Sequence, residues 1–222
     1  MDFDSVILAA STADPDDASA ACDHADALEF RMDLAPEPLA ALEAYDGELP
    51  ILATNRAKWE GGEATDDGRL EVLVEATRFD AVEAIDVELA SLRDGEAGNV
   101  VAQARERDVA VVASAHDFEG TPSTLEMSET LTDACDRADV GKLAVTAHDR
   151  KDCLAVLSVT HKLTDDGRTV ATMAMGDAGS HTRAVAPAYG SKIGYAPVDP
   201  AKATAPGQYD LETLARLVED LT

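Results

Sequence analysis

The sequence predicts an α/β protein with a (β/α)8 barrel, the TIM-barrel architecture, in one domain spanning residues 1–222. Short apolar runs recur at a spacing of roughly 20 to 35 residues, and each is followed by a polar stretch and a helical pattern, as in repeated βα units. Eight such runs are present, and no linker, charge block or low-complexity segment divides the chain. A doubly wound open sheet shares this alternation but needs only about five or six strands, so the count favours the barrel.

Each apolar run is predicted to be a strand, because strands of a parallel sheet are buried on both faces and read as nearly continuous apolar segments. In chain order the predicted strands are residues 6–10, 27–33, 50–54, 84–89, 109–114, 140–147, 169–175 and 193–197. The segments between them carry helical patterning, and Pro, Gly and Asp clusters fall where the βα loops are expected. The predicted helices are residues 15–24, 36–45, 68–79, 95–107, 123–138, 150–163, 182–189 and 211–221.

The chain is strongly acidic, with 44 Asp and Glu against 18 Lys and Arg and a formal net charge of −26. This charge excludes nucleic acid and anionic membranes as partners. The acidic residues are spread through segments with regular apolar patterning, so they belong to a folded surface and not to a disordered tail. A dense shell of carboxylates suits a halophilic, high-salt cytoplasm, in which ions screen the self-repulsion.

The cysteines and the chain termini indicate a cytoplasmic protein. Cys22, Cys135 and Cys153 have no CxxC spacing, and each lies in a helix-like stretch, so we expect small, reduced core residues. The N-terminus lacks the basic segment of a signal peptide, and no apolar run approaches the roughly 18 residues of a membrane span. The histidines and cysteines also lack metal-ligand spacing, so no metal is expected.

One lysine stands out because it lies inside a predicted buried strand. The segment is Val-Gly-Lys-Leu-Ala-Val at residues 140–145, with Lys142 at its centre. Burial destabilises an ammonium, lowers the pKa of the lysine and leaves an amine able to condense with a carbonyl. Lys142 is therefore a candidate for a Schiff base. From this residue alone, a lysine that reaches the strand end or pairs with a buried carboxylate is equally compatible.

Polar residues gather at the carboxyl ends of the predicted strands, where the reactive groups of a (β/α)8 barrel converge. Alternation along a strand places every second side chain on one face, so Glu29, Arg31 and Asp33 are expected to share a face. The same argument groups Asp86 with Glu88. Isolated charges at strand ends usually form structural ion pairs, but so many at one end predict a single polar site.

Motifs along nearly the whole chain resemble the type I 3-dehydroquinate dehydratases of the shikimate pathway. Each motif is weak alone, and the signal lies in their occurrence in order on eight βα units. They are Glu-Phe-Arg-Met-Asp at 29–33, Thr-Asn-Arg at 54–56 with Glu-Gly-Gly at 60–62, Asp-Val-Glu-Leu at 86–89, Ser-Ala-His-Asp-Phe at 114–118, Gly-Lys-Leu-Ala at 141–144, Met-Ala-Met-Gly at 173–176, Ser-His-Thr-Arg at 180–183, Tyr-Gly-Ser at 189–191 and Ala-Pro-Gly-Gln at 205–208.

The resemblance implies a mechanism for the dehydration of 3-dehydroquinate to 3-dehydroshikimate in aromatic amino acid biosynthesis. Lys142 would form an imine with the C3 ketone, which then serves as the electron sink in place of a cofactor. His116 would remove the C2 proton and return a proton to the departing C1 hydroxyl. Glu88 would hydrogen-bond the imidazole of His116 and fix its tautomer.

The resemblance also implies the residues that bind the substrate and the partners of the chain. The family commonly has Ser where this chain has Thr204, a departure that keeps the hydroxyl and adds a methyl group. Arg183 would hold the substrate carboxylate in bidentate fashion, and Gln208 would contact the substrate from a loop. The partner is thus a small molecule, and the family pattern implies a homodimer. The expected substrate-binding residues are Glu29, Arg31, Arg56, Arg183, Thr204 and Gln208.

Two other functions use the same strand-end residues. A class I aldolase also places a Schiff-base lysine on the sixth strand, but it would not need His116 and Glu88 as a pair. Its phosphorylated substrates would favour a glycine-rich phosphate site near the seventh and eighth strands, and residues 180–183 match one only in part. A non-catalytic barrel that binds carboxylates would use the arginines and leave the lysine incidental. A substrate panel and borohydride trapping separate these alternatives.

Overall fold

The computed structural model describes residues 1–199, 201 and 207–222. Eight parallel strands form one sheet in the order β7-β6-β5-β4-β3-β2-β1-β8. The amide of Lys192 donates to the carbonyl of Val170 at 2.8 Å, which joins the start of β8 to β7. This arrangement confirms the predicted (β/α)8 barrel. The strands are β1 (Ile7–Thr12), β2 (Ala27–Arg31), β3 (Ile51–Thr54), β4 (Val82–Glu88), β5 (Ala110–Asp117), β6 (Val140–Thr146), β7 (Val170–Met175) and β8 (Ile193–Pro197).

Helices follow the strands and cover the outside of the barrel. Two of them, α6 and α7, each begin with a capping box, from Ser123 with Glu126 and from Asp149 with Asp152. The helices are α1 (Ala18–Ala21), α2 (Pro38–Ala44), α3 (Arg69–Ala76), α4 (Leu89–Arg93), α5 (Gly98–Glu106), α6 (Thr124–Arg137), α7 (Arg150–Asp165), α8 (Gly176–Gly179), α9 (Thr182–Val185) and α10 (Leu211–Leu221). Short 3-10 helices cover Pro15–Asp17, Met32–Leu34, Lys58–Glu60 and Ala186–Tyr189.

The inside of the barrel divides into an apolar end and a polar end. Near the amino ends of the strands the interior is closed by small and branched apolar side chains, with Phe3 from the segment before β1 packed against them. These side chains are Ala9, Leu52, Ala84, Val112, Val140, Ala171 and Ile193. Two residues further along several strands the inward positions become polar, which places the site at the carboxyl ends of the strands.

Three expectations about local structure are wrong. The second strand ends at Arg31, and Asp33 lies on the 3-10 helix that follows, where its carboxylate turns back to bind the Arg31 guanidinium. The fourth strand ends at Glu88, because α4 begins at the next residue. Cys22 is exposed and not a core residue, because it follows a helix of only four residues whose buried face is formed by Ala18 and Ala21.

The interior carries as many buried cations as buried carboxylates among the described residues. The cations are Arg56, Arg69, Lys142 and Arg183, and the carboxylates are Glu29, Glu60, Asp86 and Glu88. They cancel formally, so these buried groups contribute nothing to the net charge of −26. Throughout the described part of the chain, no helix is both long and apolar enough to cross a membrane.

Candidate active site

A polar pocket opens at the carboxyl ends of the strands and gathers most of the predicted site residues. Two predicted residues are not part of its wall: Glu88 lies beneath it, and Thr204 falls outside the described residues. The pocket is also lined by residues without a predicted role, among them Glu60, Phe118 and Tyr195. The predicted residues that line it are Glu29, Arg31, Arg56, His116, Lys142, Arg183 and Gln208.

Lys142 projects inward from the middle of β6 and is 4% exposed. Its Nζ donates to Asp86 Oδ2 at 2.9 Å and lies 4.3 Å from the centroid of the Tyr195 ring. The backbone of β6 packs closely against α6 at the preceding residue, Gly141. A Cβ at Gly141 would lie 2.7 Å from the Cys135 sulfur and 2.9 Å from the Leu131 carbonyl oxygen. Lys142 therefore meets two of the expectations at once: it is buried, and it is paired with a buried carboxylate.

Asp86 organises the floor of the pocket by accepting three hydrogen bonds. Besides Lys142, Arg56 Nη2 donates to it at 2.7 Å and Ser114 Oγ at 2.6 Å. Burial alone would raise the pKa of this carboxyl, but the charges of Arg56 and Lys142, with the Ser114 hydrogen bond, hold it well below its usual value. Asp86 is therefore a fixed anion that orients both cations.

The predicted hydrogen bond between Glu88 and His116 is wrong. Glu88 Oε1 accepts from Arg56 Nη1 at 3.2 Å and from the amide of Ala57 at 2.9 Å, and Glu88 Oε2 accepts from Arg69. These donors point the carboxylate toward the start of the loop after β3 and occupy both of its oxygens. Glu88 thus supports Arg56 from beneath the pocket and does not orient the imidazole.

Glu60 takes the place that was predicted for Glu88. Its Oε1 lies 2.8 Å from His116 Nδ1. Burial raises the pKa of Glu60 to about 7, with help from the negative charges of Glu88 and Asp86. Burial also lowers the pKa of His116 well below its usual value, and the nearby cations Arg56 and Lys142 lower it further. A neutral imidazole that donates Nδ1–H to an ionised Glu60 has a free lone pair on Nε2 and can act as a base.

Tight backbone packing brings Glu60 over the barrel. It ends a 3-10 helix in the loop after β3 and is followed by Gly61, whose φ of 81° lies in the left-handed region. At the next position, Gly62, a Cβ would lie 2.1 Å from the carbonyl oxygen of Arg56, so only glycine allows the loop to fold back this closely. Phe118 covers the same region, with its ring stacked on the His116 ring at 5.9 Å between centroids.

Arg183 differs from the other buried cations because no carboxylate among the described residues pairs with its guanidinium. Nε and Nη2 have no hydrogen-bond partner among the described residues, and Nη1 makes one weak contact with the Met173 sulfur at 3.6 Å. Burial lowers its pKa to about 10. A guanidinium with open donors in a pocket wall is suited to bind a planar anion such as a carboxylate.

The remaining predicted residues are held by neighbouring side chains. Arg31 forms a bidentate pair with Asp33, with Nε to Oδ1 at 2.8 Å and Nη2 to Oδ2 at 2.7 Å. Glu29 accepts from Ser11 Oγ and, at 3.3 Å, from Thr54 Oγ1. Arg31 and Glu29 thus present one cation and one carboxylate to the same pocket with little rotational freedom.

Comparison with known proteins identifies the family. A family model described as type I 3-dehydroquinase matches residues 5–221. The chain belongs to the type I 3-dehydroquinase family. It is 55% identical over 225 residues to the 3-dehydroquinate dehydratase of Halobacterium salinarum, with all of both chains covered. It is 57% identical over 225 residues to that of Haloarcula marismortui, covering 100% of this chain and 98% of the relative. Both relatives come from halophilic archaea, as the acidic composition led us to expect.

Solved structures of the type I 3-dehydroquinase family share the fold. The crystal structure of 3-dehydroquinate dehydratase from Geobacillus kaustophilus matches with a TM-score of 0.86 at 26% identity, covering 98% of this chain and 91% of that one. The type I 3-dehydroquinate dehydratase from Clostridium difficile, described with covalently modified comenic acid, matches with a TM-score of 0.86 at 27% identity, covering 98% and 92%.

The site of this type I 3-dehydroquinase contains groups that sequence reasoning missed. Glu60 was noted only as part of the Glu-Gly-Gly motif at residues 60–62, although this motif was a signal that the backbone folds back close to the strand ends. Asp86 was grouped with Glu88 but was given no role. Tyr195 stands on an apolar strand with no charged neighbour, so nothing in the sequence singled it out.

Proposed function

We propose that this chain is a 3-dehydroquinate dehydratase that converts 3-dehydroquinate to 3-dehydroshikimate through an imine on Lys142. The observation that carries the proposal is the convergence of three different chemical groups on one pocket. These are a buried amine, the hydrogen-bonded pair of His116 and Glu60, and the open guanidinium of Arg183. They match the needs of a substrate with a ketone, an acidic C–H bond and a carboxylate.

Lys142 is the proposed nucleophile. Condensation of Nζ with the C3 ketone replaces the carbonyl oxygen by a positively charged nitrogen, and Asp86 at 2.9 Å from Nζ is placed to stabilise that charge. The protonated imine accepts the electron pair that the C2–H bond releases, so the reaction needs no cofactor. Within residues 1–199, 201 and 207–222, no group of three potential ligands is arranged to hold a metal ion.

His116 is the proposed base and acid. Its Nε2 removes the C2 proton, which leaves an enamine, and the resulting imidazolium then gives a proton to the C1 hydroxyl as it departs as water. Glu60 stabilises the imidazolium and keeps the Nδ1 hydrogen directed toward itself, the role that was first expected of Glu88. Phe118, stacked on the imidazole, limits access of water to the pair.

The substrate is proposed to be anchored at its carboxylate and its hydroxyl groups. Arg183 binds the carboxylate in bidentate fashion, and its open Nε and Nη2 support this role. Arg31 and Glu29 bind hydroxyl groups, Arg56 orders the floor of the pocket, and Gln208 contacts the substrate from the loop after β8. The proposed contact of Thr204 stays a prediction, because this residue lies outside the described part of the chain.

We also propose that the protein is a cytoplasmic homodimer. Cys22, Cys135 and Cys153 are all free thiols, which suits a reducing compartment. The homodimer is supported by the family resemblance alone, and the molar mass from light scattering in high salt tests it.

The test of function combines an optical assay with chemical trapping. Purified protein in molar KCl is mixed with 3-dehydroquinate, and ultraviolet absorbance follows the conjugated enone of the product. Borohydride added during turnover is expected to reduce one adduct onto Lys142, located by peptide mapping, while the lysines outside the pocket remain unmodified. Turnover without an adduct, or an adduct on another lysine, contradicts the imine mechanism.

Two results would favour the alternative functions. Binding of 3-dehydroquinate without any enone would indicate a carboxylate-binding barrel. Cleavage of a phosphorylated sugar in a substrate panel, without action on 3-dehydroquinate, would indicate an aldolase.

A further inference from the structure

Tyr195 is a buried polar group in the pocket wall that none of the steps above uses. It projects inward from β8, is 5% exposed and lines the pocket together with Lys142. Its hydroxyl has no hydrogen-bond partner among the described residues. A buried tyrosine hydroxyl normally finds a partner, because leaving it unpaired costs free energy. Phenylalanine would fill the same space without that cost, so the hydroxyl calls for a ligand.

The position of the ring relates this hydroxyl to the reacting nitrogen. Lys142 Nζ lies over the Tyr195 ring, 4.3 Å from its centroid. A carbonyl that condenses with Nζ therefore reacts beside this ring. The hydroxyl at the edge of the same ring is the polar group that β8 contributes to the pocket wall.

The phenol is able to donate a hydrogen bond but not to act as a base. Burial raises its pKa well above the usual value, and the negative charges of Glu29 and Asp86 raise it further, against the opposing charge of Arg56. At neutral pH the group is a neutral O–H. The acceptor it lacks must come from the ligand, and a ketone oxygen that gains negative charge is the strongest acceptor near Nζ.

We propose that Tyr195 donates its phenolic hydrogen to the C3 ketone oxygen of the bound substrate while Lys142 attacks the carbonyl carbon. The proposal rests on the function proposed above and adds a carbonyl-polarising residue to it. In this role Tyr195 stabilises the developing alkoxide, as the donors of an oxyanion hole do.

The step balances without an external acid. The Lys142 ammonium carries three protons and the final protonated imine carries one. Loss of one proton from the ammonium frees the nitrogen lone pair, which forms the C–N bond as the carbonyl π electrons move to oxygen. That proton and a second proton from nitrogen end on the oxygen, which leaves as water when the C–O bond breaks. Tyr195 holds its hydrogen bond to the oxygen throughout and retains its own proton at the end.

The test is the Tyr195→Phe variant, which removes one oxygen and preserves the ring next to Lys142. It is expected to fold with an unchanged or higher melting temperature, because the hydroxyl has no partner among the described residues in the free protein. Tyr45→Phe is the matched control: its hydroxyl donates to the Leu49 carbonyl at 2.8 Å in the α2–β3 loop, at the opposite end of the barrel. The control should keep the wild-type turnover.

The expected result is a fall in kcat on the order of 100-fold, the cost of removing one oxyanion donor. A second readout identifies the step. Substrate deuterated at C2 gives a kinetic isotope effect that reports removal of the C2 proton by His116. In Tyr195→Phe this isotope effect should shrink toward one, because imine formation has become the slow step, and less adduct should be trapped by borohydride at early times.

Three outcomes overturn the inference. Wild-type kcat in Tyr195→Phe shows that the hydroxyl does not act in the reaction. A raised KM with an unchanged isotope effect shows that it binds another oxygen of the substrate. Absence of enone from the wild-type protein refutes the proposed function and this inference with it, whereas a wild-type enone with an unaffected variant refutes only the role of Tyr195.

Discussion

The two sides of the pocket differ in how their buried polar groups are satisfied. On the side formed by β3 to β6, Asp86 and Glu88 hold Arg56 and Lys142 in a network in which each charge meets an opposite charge. On the side formed by β7 and β8, the Arg183 guanidinium has two nitrogens, and Tyr195 one oxygen, without a partner among the described residues. Burial is similar on the two sides, and only the pairing differs.

This difference distinguishes groups that are held in position before the substrate binds from groups that need the substrate to complete their hydrogen bonds. Paired charges keep their geometry whether or not a substrate is present, so they suit groups that must be oriented in advance. Unpaired buried groups are costly in the free protein and become stable only when a ligand supplies the missing hydrogen bonds. The β7–β8 side is therefore where we propose that the carboxylate and the ketone oxygen of the substrate bind.

The largest expected effect lies on the paired side. Lys142→Ala should abolish turnover, because among the described residues no other lysine lies in the pocket wall to form an imine. The same variant should still bind a carboxylate ligand, since Arg183 and Arg31 remain, and isothermal titration with the product measures this. Turnover within tenfold of wild type would show that the reaction does not pass through this nitrogen.

His116→Ala should lose several orders of magnitude in kcat, because the imidazole is proposed to serve two proton transfers. Stopped-flow enone formation measures it, and exchange of the C2 proton with deuterated water gives an independent readout of the base. A variant that still exchanges this proton at the wild-type rate would remove His116 from the base role.

A pair of arginine substitutions tests the contrast between the two sides through stability. Arg56→Met breaks a buried network and leaves Asp86 and Glu88 short of a counter-charge, so it should lower the free energy of unfolding by about 3 to 5 kcal/mol. Arg183→Met removes a buried charge that has no acidic partner among the described residues, so it should leave stability unchanged or raise it.

The two arginine variants should also separate in binding. Arg183→Met is expected to raise KM on the order of 100-fold, because a bidentate contact to the carboxylate is lost. Denaturant melts in one fixed molar KCl solution and steady-state kinetics measure both quantities. Equal loss of stability in the two variants would end the distinction between the two sides.

A smaller effect should appear in the pH dependence. With the pKa of Glu60 raised to about 7, this carboxyl takes up a proton as the pH falls through that value. The protonated carboxyl donates to His116 Nδ1, the imidazole then carries its hydrogen on Nε2, and the base is lost. The value of kcat/KM should therefore rise with pH through about 7 and level off above it. Glu60→Gln cannot ionise and should lack this limb, whereas a limb that persists belongs to another group.

The smallest effects per charge should come from the outer surface, where a net charge of −26 is not compensated by the balanced interior. Salt screens this repulsion, so the melting temperature should rise with KCl. At 1 M the Debye length is about 3 Å, and any further gain above that concentration requires specific cation binding or salting-out. A midpoint that stays flat or falls would contradict the high-salt expectation.

Most of the fold and the location of the site could be predicted from the spacing of apolar runs and from the polar residues at the ends of the predicted strands. All eight strands, and the place of Lys142 inside one of them, followed from apolar runs, whereas the role of His116 came from the family resemblance. Glu88 was misassigned because its contact with His116 was carried over from the family resemblance, and alternation along β4 tells which face a residue shares but not which neighbour it contacts. Its oxygens are claimed by Arg56 and Arg69, and Arg69 begins a helix that is 19 residues away in sequence.

Glu60 escaped prediction for the complementary reason. It lies 56 residues from His116, on a loop where no periodic pattern applies. Its position depends on the left-handed turn at Gly61 and on the close approach of Gly62 to the Arg56 carbonyl. The sequence shows these constraints only as two adjacent glycines. Tyr195 is similar, because a phenol whose hydroxyl lacks a partner is recognisable only once the packing around it is known.

A single oxygen atom of Asp33 connects two parts of the site that the chain keeps apart. Oδ2 accepts from Arg31 Nη2 at 2.7 Å and from the amide of Glu63 at 3.1 Å, in the loop that carries Glu60. The Arg31–Asp33 pair belongs to the end of β2 and the turn after it, so it forms a fixed post to which the loop of Glu60 is tied by one backbone hydrogen bond. The substrate-binding arginine and the carboxylate that contacts His116 are thus positioned from the same aspartate.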